Sequence, residues 1–224
     1  MNLKALFLNC TLKKSPGVSN TEVLIRKIMG IMEPLGVDTE IVRVADFNVA
    51  FGVSSDEGEG DEWPGILKKV LDTDILVIGT PIWFGVRSSV AQLVLERLDG
   101  TYNNGDPATG QFPLYNKVGG CVVTGNEDGA HNAAGTTLFN LSHLGCVVPP
   151  NSDCYWVGPA GPGPSYIEAG GAQHLYTNKT ARYLAHNTVF FARLLKANPV
   201  TTNLNDLIRE AAAESSDSCP AKHG

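Results

Sequence analysis

The chain has 224 residues, of which 43% are apolar and 18% charged, with a mean hydropathy of -0.03; this composition suits a folded domain with its own core and excludes a disordered or lipid-embedded chain. Seventeen Lys and Arg against 23 Asp and Glu leave a net charge of -6, so a general affinity for phosphate backbones is not expected and nucleic acid is not a partner. The five cysteines are odd in number, scattered and without a CxxC pair, which predicts reduced thiols in a cytoplasm and no metal site.

The segment LKALFLN at 3 to 9 reads as a strand buried on both faces. A polar loop leads to a helix in which Leu24, Ile28, Ile31, Met32 and Leu35 recur at helical spacing, opened by a capping box of Ser19 and Glu22 and closed by Gly36. TEIVRVA at 39 to 45 is the second strand, and the acidic, Gly- and Ser-rich stretch 46 to 63 is a surface loop. Pro64 opens a short second helix before DILVIGTPIW, the most apolar strand and the expected sheet centre. A third helix is capped by Ser88 or Ser89 and stopped by Gly100, and KVGGCVVTG at 117 to 125 is the fourth strand. The fourth helix carries Leu138, Leu141 and Leu144 and ends at Gly145, where CVVPP begins a fifth strand. After a Gly- and Pro-rich segment, 158 to 173, comes a long amphipathic helix ended by Pro199. An arm with Leu204, Leu207, Ile208 and Ala211 on one helical face follows, expected to rest on a neighbouring subunit, and then an SSDSCPAKHG tail expected to be unstructured.

Five apolar strands alternating with helices imply right-handed crossovers and a doubly wound α/β domain with helices on both faces. No leader with a cleavage site opens the chain, and the longest apolar run, 75 to 86, is short and contains Pro81, so neither export nor a membrane span is expected. Three glycosylation patterns, at Asn9, Asn140 and Asn178, fall on a strand end and helices and are set aside as chance.

In such a sheet the ligand lies beyond the carboxyl ends of the strands. The loop after the first strand brings Cys10, Thr11, Leu12, Lys13, Ser19, Asn20 and Thr21 to a helix start, where free N–H groups suit a phosphate; plain helix capping is the alternative. Neither GxxxxGK[ST] nor GxGxxG is present. After the third strand, Pro81, Ile82, Trp83, Phe84 and Gly85 offer a stiff turn and two rings for a flat ligand, or else core or interface aromatics. After the fourth, Thr124, Gly125, Asn126, Asp128, Gly129 and His131 offer close backbone approach and polar groups, or a capping turn. Cys10 at a helix start suits a lowered thiol pKa but reads better as a buried structural thiol, and 158 to 166 either covers the pocket or simply connects.

NCTLKKSPGVSNT, TPIWFGVRSSVAQLVLERLDG and TGNEDGAHNA together resemble the three loops of the flavodoxin-like NAD(P)H-dependent FMN reductase and quinone oxidoreductase family, over roughly residues 1 to 198. Cys10 and Thr11 stand where that family commonly has Ser and Pro, and ERLD at 96 to 99 reverses its usual Asp-Arg order. The resemblance implies a five-stranded parallel sheet of order 2-1-3-4-5, FMN held by the three loops, and a 1–198 flavin domain followed by an accessory 199–224 arm. It implies electron transfer from NAD(P)H through flavin to a quinone or other small acceptor, with no catalytic side chain required, in a homodimer or homotetramer. A flavodoxin-type electron carrier is the alternative. Related iron–sulfur flavoproteins carry a cysteine cluster after the second strand, but residues 46 to 62 hold no cysteine, so no cluster is expected.

Overall fold

A computed structural model describes residues 2–161 and 163–215. Among them the chain runs β1 Leu3–Asn9, α1 Asn20–Met32, β2 Val37–Arg43, α2 Trp63–Leu71, β3 Ile75–Trp83, β4 Val86–Arg87, α3 Ser89–Asp99, β5 Val118–Thr124, α4 Ala130–His143, β6 Asp153–Trp156, α5 Leu175–Ala197 and α6 Leu204–Glu214. The sheet order is β2-β1-β3-β5-β6, all parallel, with β4 turned back antiparallel on β3. Without that hairpin strand the order is the expected flavodoxin-like one. The chain leaves β1 for β2 on one side and returns to β3 on the other, so the switch point lies between β1 and β3.

Alternate residues explain the three layers. Phe7, Val77 and Val122 face α1 and α5, whereas Leu6, Leu8, Leu76 and Ile78 face α2 and α3. Burying each such side chain contributes about 1.5–3 kcal/mol, so the centre of the sheet is set chiefly by burial on both faces. Gly79 in β3 has a direct bearing on the site. A Cβ there would meet Ile25 Cδ1 at 2.5 Å and Thr21 Cγ2 at 3.2 Å, so the missing side chain lets the first turns of α1 settle onto the strand.

Three expectations need correction. CVVPP makes only an isolated bridge, Val118 to Val147, because Pro149 and Pro150 have no N–H for a ladder; the strand proper is β6, at 153 to 156. The second strand ends at Arg43, and Val44–Asp46 form a 3₁₀ turn. Gly100 is no stop: it keeps a right-handed helical conformation, and the chain continues as a 3₁₀ turn to Asn104. Its role is space, since a Cβ would lie 2.6 Å from the Ser54 backbone. The described part of the arm is tied to its own chain at its start, where Leu204 N–H donates to Thr109 O at 2.7 Å and Gln111 Nε2 donates to Thr202 O at 2.9 Å, while Leu207 and Ile208 on α6 stay exposed. From Ser216 onward the tail falls outside the described residues.

The acidic loop 46 to 62 also departs from a solvated turn. Arg97 on α3 is wholly buried and donates to Ala50 O, Ser54 O and the Asp61 carboxylate at 2.8, 3.0 and 2.7 Å. The Trp63 ring lies 5.7 Å from its guanidinium. Asp61 is only 1% exposed. Burial pushes its carboxyl up, but Arg97 and the backbone N–H groups of Glu57, Ala50 and Trp63 outweigh that and hold it well below the usual carboxylate range.

Candidate functional site

A cavity of about 380 Å3 opens where the ends of β1, β3 and β5 meet. Its first wall is the loop into α1, with Thr11, Leu12, Lys13, Ser19, Asn20 and Thr21. Ser19 is the N-cap: its hydroxyl accepts the Glu22 N–H at 3.1 Å, as the capping pattern predicts. Asn9 organises the same turn from the end of β1, its amide reaching Ser19 Oγ at 3.4 Å and Glu22 Oε2 at 3.3 Å and its Oδ1 accepting Thr11 N–H at 3.3 Å. Among the described residues the backbone N–H groups of Asn20 and Thr21 meet no acceptor, leaving two donors aligned with the helix dipole. The Thr21 and Thr124 hydroxyls bond at 2.7 Å in a buried position and join this wall to β5.

Glu22, in the first turn, adds negative charge close to those donors. Burial raises its pKa, but Arg43 and Arg26, both bonded to it, bring it below the usual value, so it stays an ion neutralised by two guanidinium groups.

Pro81, Ile82, Trp83 and Phe84 form the second wall. Phe84 and Gly85 are the two turn residues of the β3–β4 hairpin, with φ of 52° and 77°; positive φ at both positions matches the strand twist. A phenylalanine there is unusual, which is why the sequence shows no hairpin signal. Trp83 is half-exposed and Phe84 97% exposed. The third wall is Thr124, Gly125 and Asn126, extended by Glu127.

Five expected residues do not reach the cavity. The Cys10 thiol is buried in the core facing the Leu8 carbonyl, and burial drives its pKa far above the ordinary thiol range. Gly85 and Gly129 instead lie backbone to backbone: a Cβ on Gly129, whose φ is 120°, would come within 2.5 Å of Gly85. That contact, with Asn132 Nδ2 donating to Gly85 O at 3.0 Å, binds the hairpin to α4. Asp128 accepts the N–H of Gly129, its neighbour, at 2.7 Å. His131 turns to the sheet edge, its Nε2 3.0 Å from the Tyr155 hydroxyl.

Sequence reading missed Val18, which lines the cavity together with Glu127, Ser165 and Tyr166. The last two belong to the Gly- and Pro-rich segment, which does cover the pocket. It is held at both sides: Asn126 Nδ2 donates to Gly163 O at 2.7 Å, and Asn20 Oδ1 accepts Ile167 N–H at 2.9 Å. Two asparagines expected to touch a ligand thus hold the segment that covers it. Tyr166 is buried against Trp156, and its hydroxyl has no partner among the described residues.

The donor set suits a phosphorylated flat ligand: hydroxyls and unpartnered N–H groups on the first wall, Ile82, Trp83 and Phe84 on the second. No helix among the described residues is long and apolar enough to cross a membrane.

Residues 3–157 match the family described as NADPH-dependent FMN reductase. The chain is 46% identical over 227 residues to the 8-demethyl-8-aminoriboflavin-5'-phosphate synthase of Streptomyces davaonensis, covering 97% of this chain and 88% of that protein. A solved structure of RosB with bound 8-demethyl-8-formylriboflavin-5'-phosphate is similar at a TM-score of 0.90 and 45% identity, covering 99% of this chain and 91% of that one. The chain is also 43% identical over 203 residues to a Mycobacterium bovis protein named divalent metal cation transporter MntH; the match takes in 87% of this chain but only 29% of that protein.

Proposed function

The chain belongs to the NADPH-dependent FMN reductase family of flavin-dependent oxidoreductases, and we propose that its cavity binds FMN and works with NAD(P)H as electron donor and a quinone or other small molecule as acceptor. The observation that carries this reading is the junction of unpartnered N–H donors at Asn20 and Thr21 with the exposed rings of Trp83 and Phe84 in one cavity. The donors at the start of α1, with the Ser19 and Thr11 hydroxyls, hold the phosphate; charge-assisted bonds of this kind contribute about 1.5–3 kcal/mol each. Pro81 to Phe84 support the ribityl chain and ring, Thr124 to Asn126 meet the ring's polar edge, and Ser165 and Tyr166 keep water from it. When bound, FMN supplies the redox chemistry, and in this reading no side chain of the protein is required as acid, base or nucleophile.

A second reading has its own support. The relative from Streptomyces davaonensis is named for making a modified riboflavin phosphate, and the identity extends over 97% of this chain. Here the same cavity takes the flavin phosphate as substrate and alters it at the ring. One experiment separates the readings: purified protein is mixed with FMN, then treated anaerobically with NADPH or NADH, while a parallel aerobic sample supplied with a mixture of amino acids as amino donors is analysed for flavin mass. Rapid bleaching with unchanged mass supports the reductase, a new flavin mass supports the modifying enzyme, and a protein that retains FMN but does neither is an electron carrier. Failure to bind FMN at saturating concentration, read by flavin fluorescence, removes all three.

Residues 1–198 form the flavin domain in this reading, with the 199–224 arm accessory to it. A dimer or tetramer completes the pocket, because Trp83 and Phe84 otherwise face solvent. Light scattering that shows a monomer with full FMN occupancy is the result against that arrangement. A cytoplasmic setting accords with four described cysteines that are free thiols.

A further inference from the structure

Arg43, the last residue of β2, and Asp46, in the turn that follows it, hold the first loop without lining the cavity. The Asp46 carboxylate accepts the Ser15 N–H on one oxygen and the Ser15 hydroxyl on the other, both at 2.7 Å. Arg43 donates to Gly17 O at 2.6 Å and to Lys13 O at 3.5 Å, and its other amino group is paired with Glu22 in the first turn of α1. The Arg43 side chain is only 12% exposed. The loop itself has few internal ties; between Thr11 and Val18 these are Gly17 N–H to Lys14 O at 2.9 Å, Lys13 N–H to Thr11 Oγ1 at 3.4 Å and the Lys13 ammonium to Val18 O at 3.3 Å. Its course is therefore imposed from β2.

From this geometry we infer that Arg43 and Asp46 are positioning residues for the phosphate of the ligand: a two-point brace that sets the loop so that the donors at Ser19, Asn20 and Thr21 converge on one anion. The inference rests on the flavin-phosphate reading above. It also explains the identity of residue 43. A guanidinium fork spans a carboxylate on α1 and carbonyls on the loop at once, which the single ammonium of lysine does not do. Charge alone would be kept by Arg43→Lys; the span would not.

The test compares Arg43→Lys, Asp46→Asn and Ser15→Ala with the unaltered protein, measuring affinity for FMN and for riboflavin by quenching of flavin fluorescence, the phosphorus NMR shift of bound FMN, and thermal melting as a check on folding. The brace predicts FMN binding weakened about fivefold to tenfold in Arg43→Lys and Asp46→Asn, riboflavin binding changed by less than about twofold, and a moved phosphorus resonance. Ser15→Ala combined with Asp46→Asn should weaken FMN binding by less than the product of the two single effects, since both variants act on the same pair of Ser15–Asp46 bonds. FMN affinity left intact, or both flavins weakened alike, overturns the inference while the flavin reading stands. An unaltered protein that binds neither flavin ends both.

Discussion

Thr21 and Thr124 form the shortest physical link between the walls of the cavity, and their bond is open to measurement. Thr21→Val keeps the shape but leaves the Thr124 hydroxyl, 2% exposed, without its partner; this should cost about 1–3 kcal/mol and lower the melting temperature by several degrees. Replacing both threonines by valine should restore much of that loss, and a single variant that melts like the parent would contradict it. Gly129→Ala meets two obstacles, a positive φ and the Gly85 backbone. It should cost at least about 1–3 kcal/mol and release flavin during gel filtration, since the hairpin bearing Trp83 and Phe84 is displaced. Gly135→Ala is the matched control: mid-helix, with open space around its Cβ, it should stabilise by about 0.4–1 kcal/mol. Residue types predicted most of the cavity wall, but not what each does there. Asn20 and Asn126 bond to partners 147 and 37 residues away, and such separations leave no trace in local pattern.

Loop 46 to 62 shows where pattern reading fails for an element. Its acidic, Gly- and Ser-rich composition signals solvent, and nothing in that composition points to Arg97 on α3 as its partner. The pairing reverses that reading, because an ion pair between distant segments has no periodicity. Arg97→Met removes one partner of a buried pair, so the uncompensated Asp61 carboxylate should cost about 3–5 kcal/mol, measured by urea denaturation. Adding Asp61→Leu should recover only part of this, because the N–H groups of Ala50, Glu57 and Trp63 lose their acceptor. The pH dependence follows from the direction of the Asp61 shift. A carboxyl whose pKa is depressed on folding stabilises the fold above the ordinary value of about 4, and that contribution fades as the pH falls below it. The stability gap between the parent and Asp61→Asn should therefore be widest near neutrality and shrink in acid; a gap that grows in acid would refute the assignment.

For the molecule as a whole, the alternation of apolar strands with amphipathic helices was enough to predict parallel pairing, as the burial of β1, β3 and β5 on both faces reflects, whereas the strand order came from the family resemblance. What escaped was short and irregular: the two-residue strand β4, whose turn uses Phe84, and the true position of β6 beyond its prolines. The interior also sets the chemistry of the thiols. Cys10, Cys121, Cys146 and Cys154 are buried, and burial pushes the last three up to about 12. A Cys219→Ser variant should thus show no thiol titrating with Ellman's reagent in the native state and four in denaturant; a fast native thiol would mean that the core opens readily. The two rims of the sheet carry a last consequence. One is β2, which presents Asp38 and Glu40 outward, and the other is β6, only four residues long with Pro149 and Pro150 just ahead of it. Charge repulsion guards the first against zipping onto another molecule and brevity guards the second, so crowded solutions of this protein should resist fibril growth, and self-association is steered toward helical and loop surfaces.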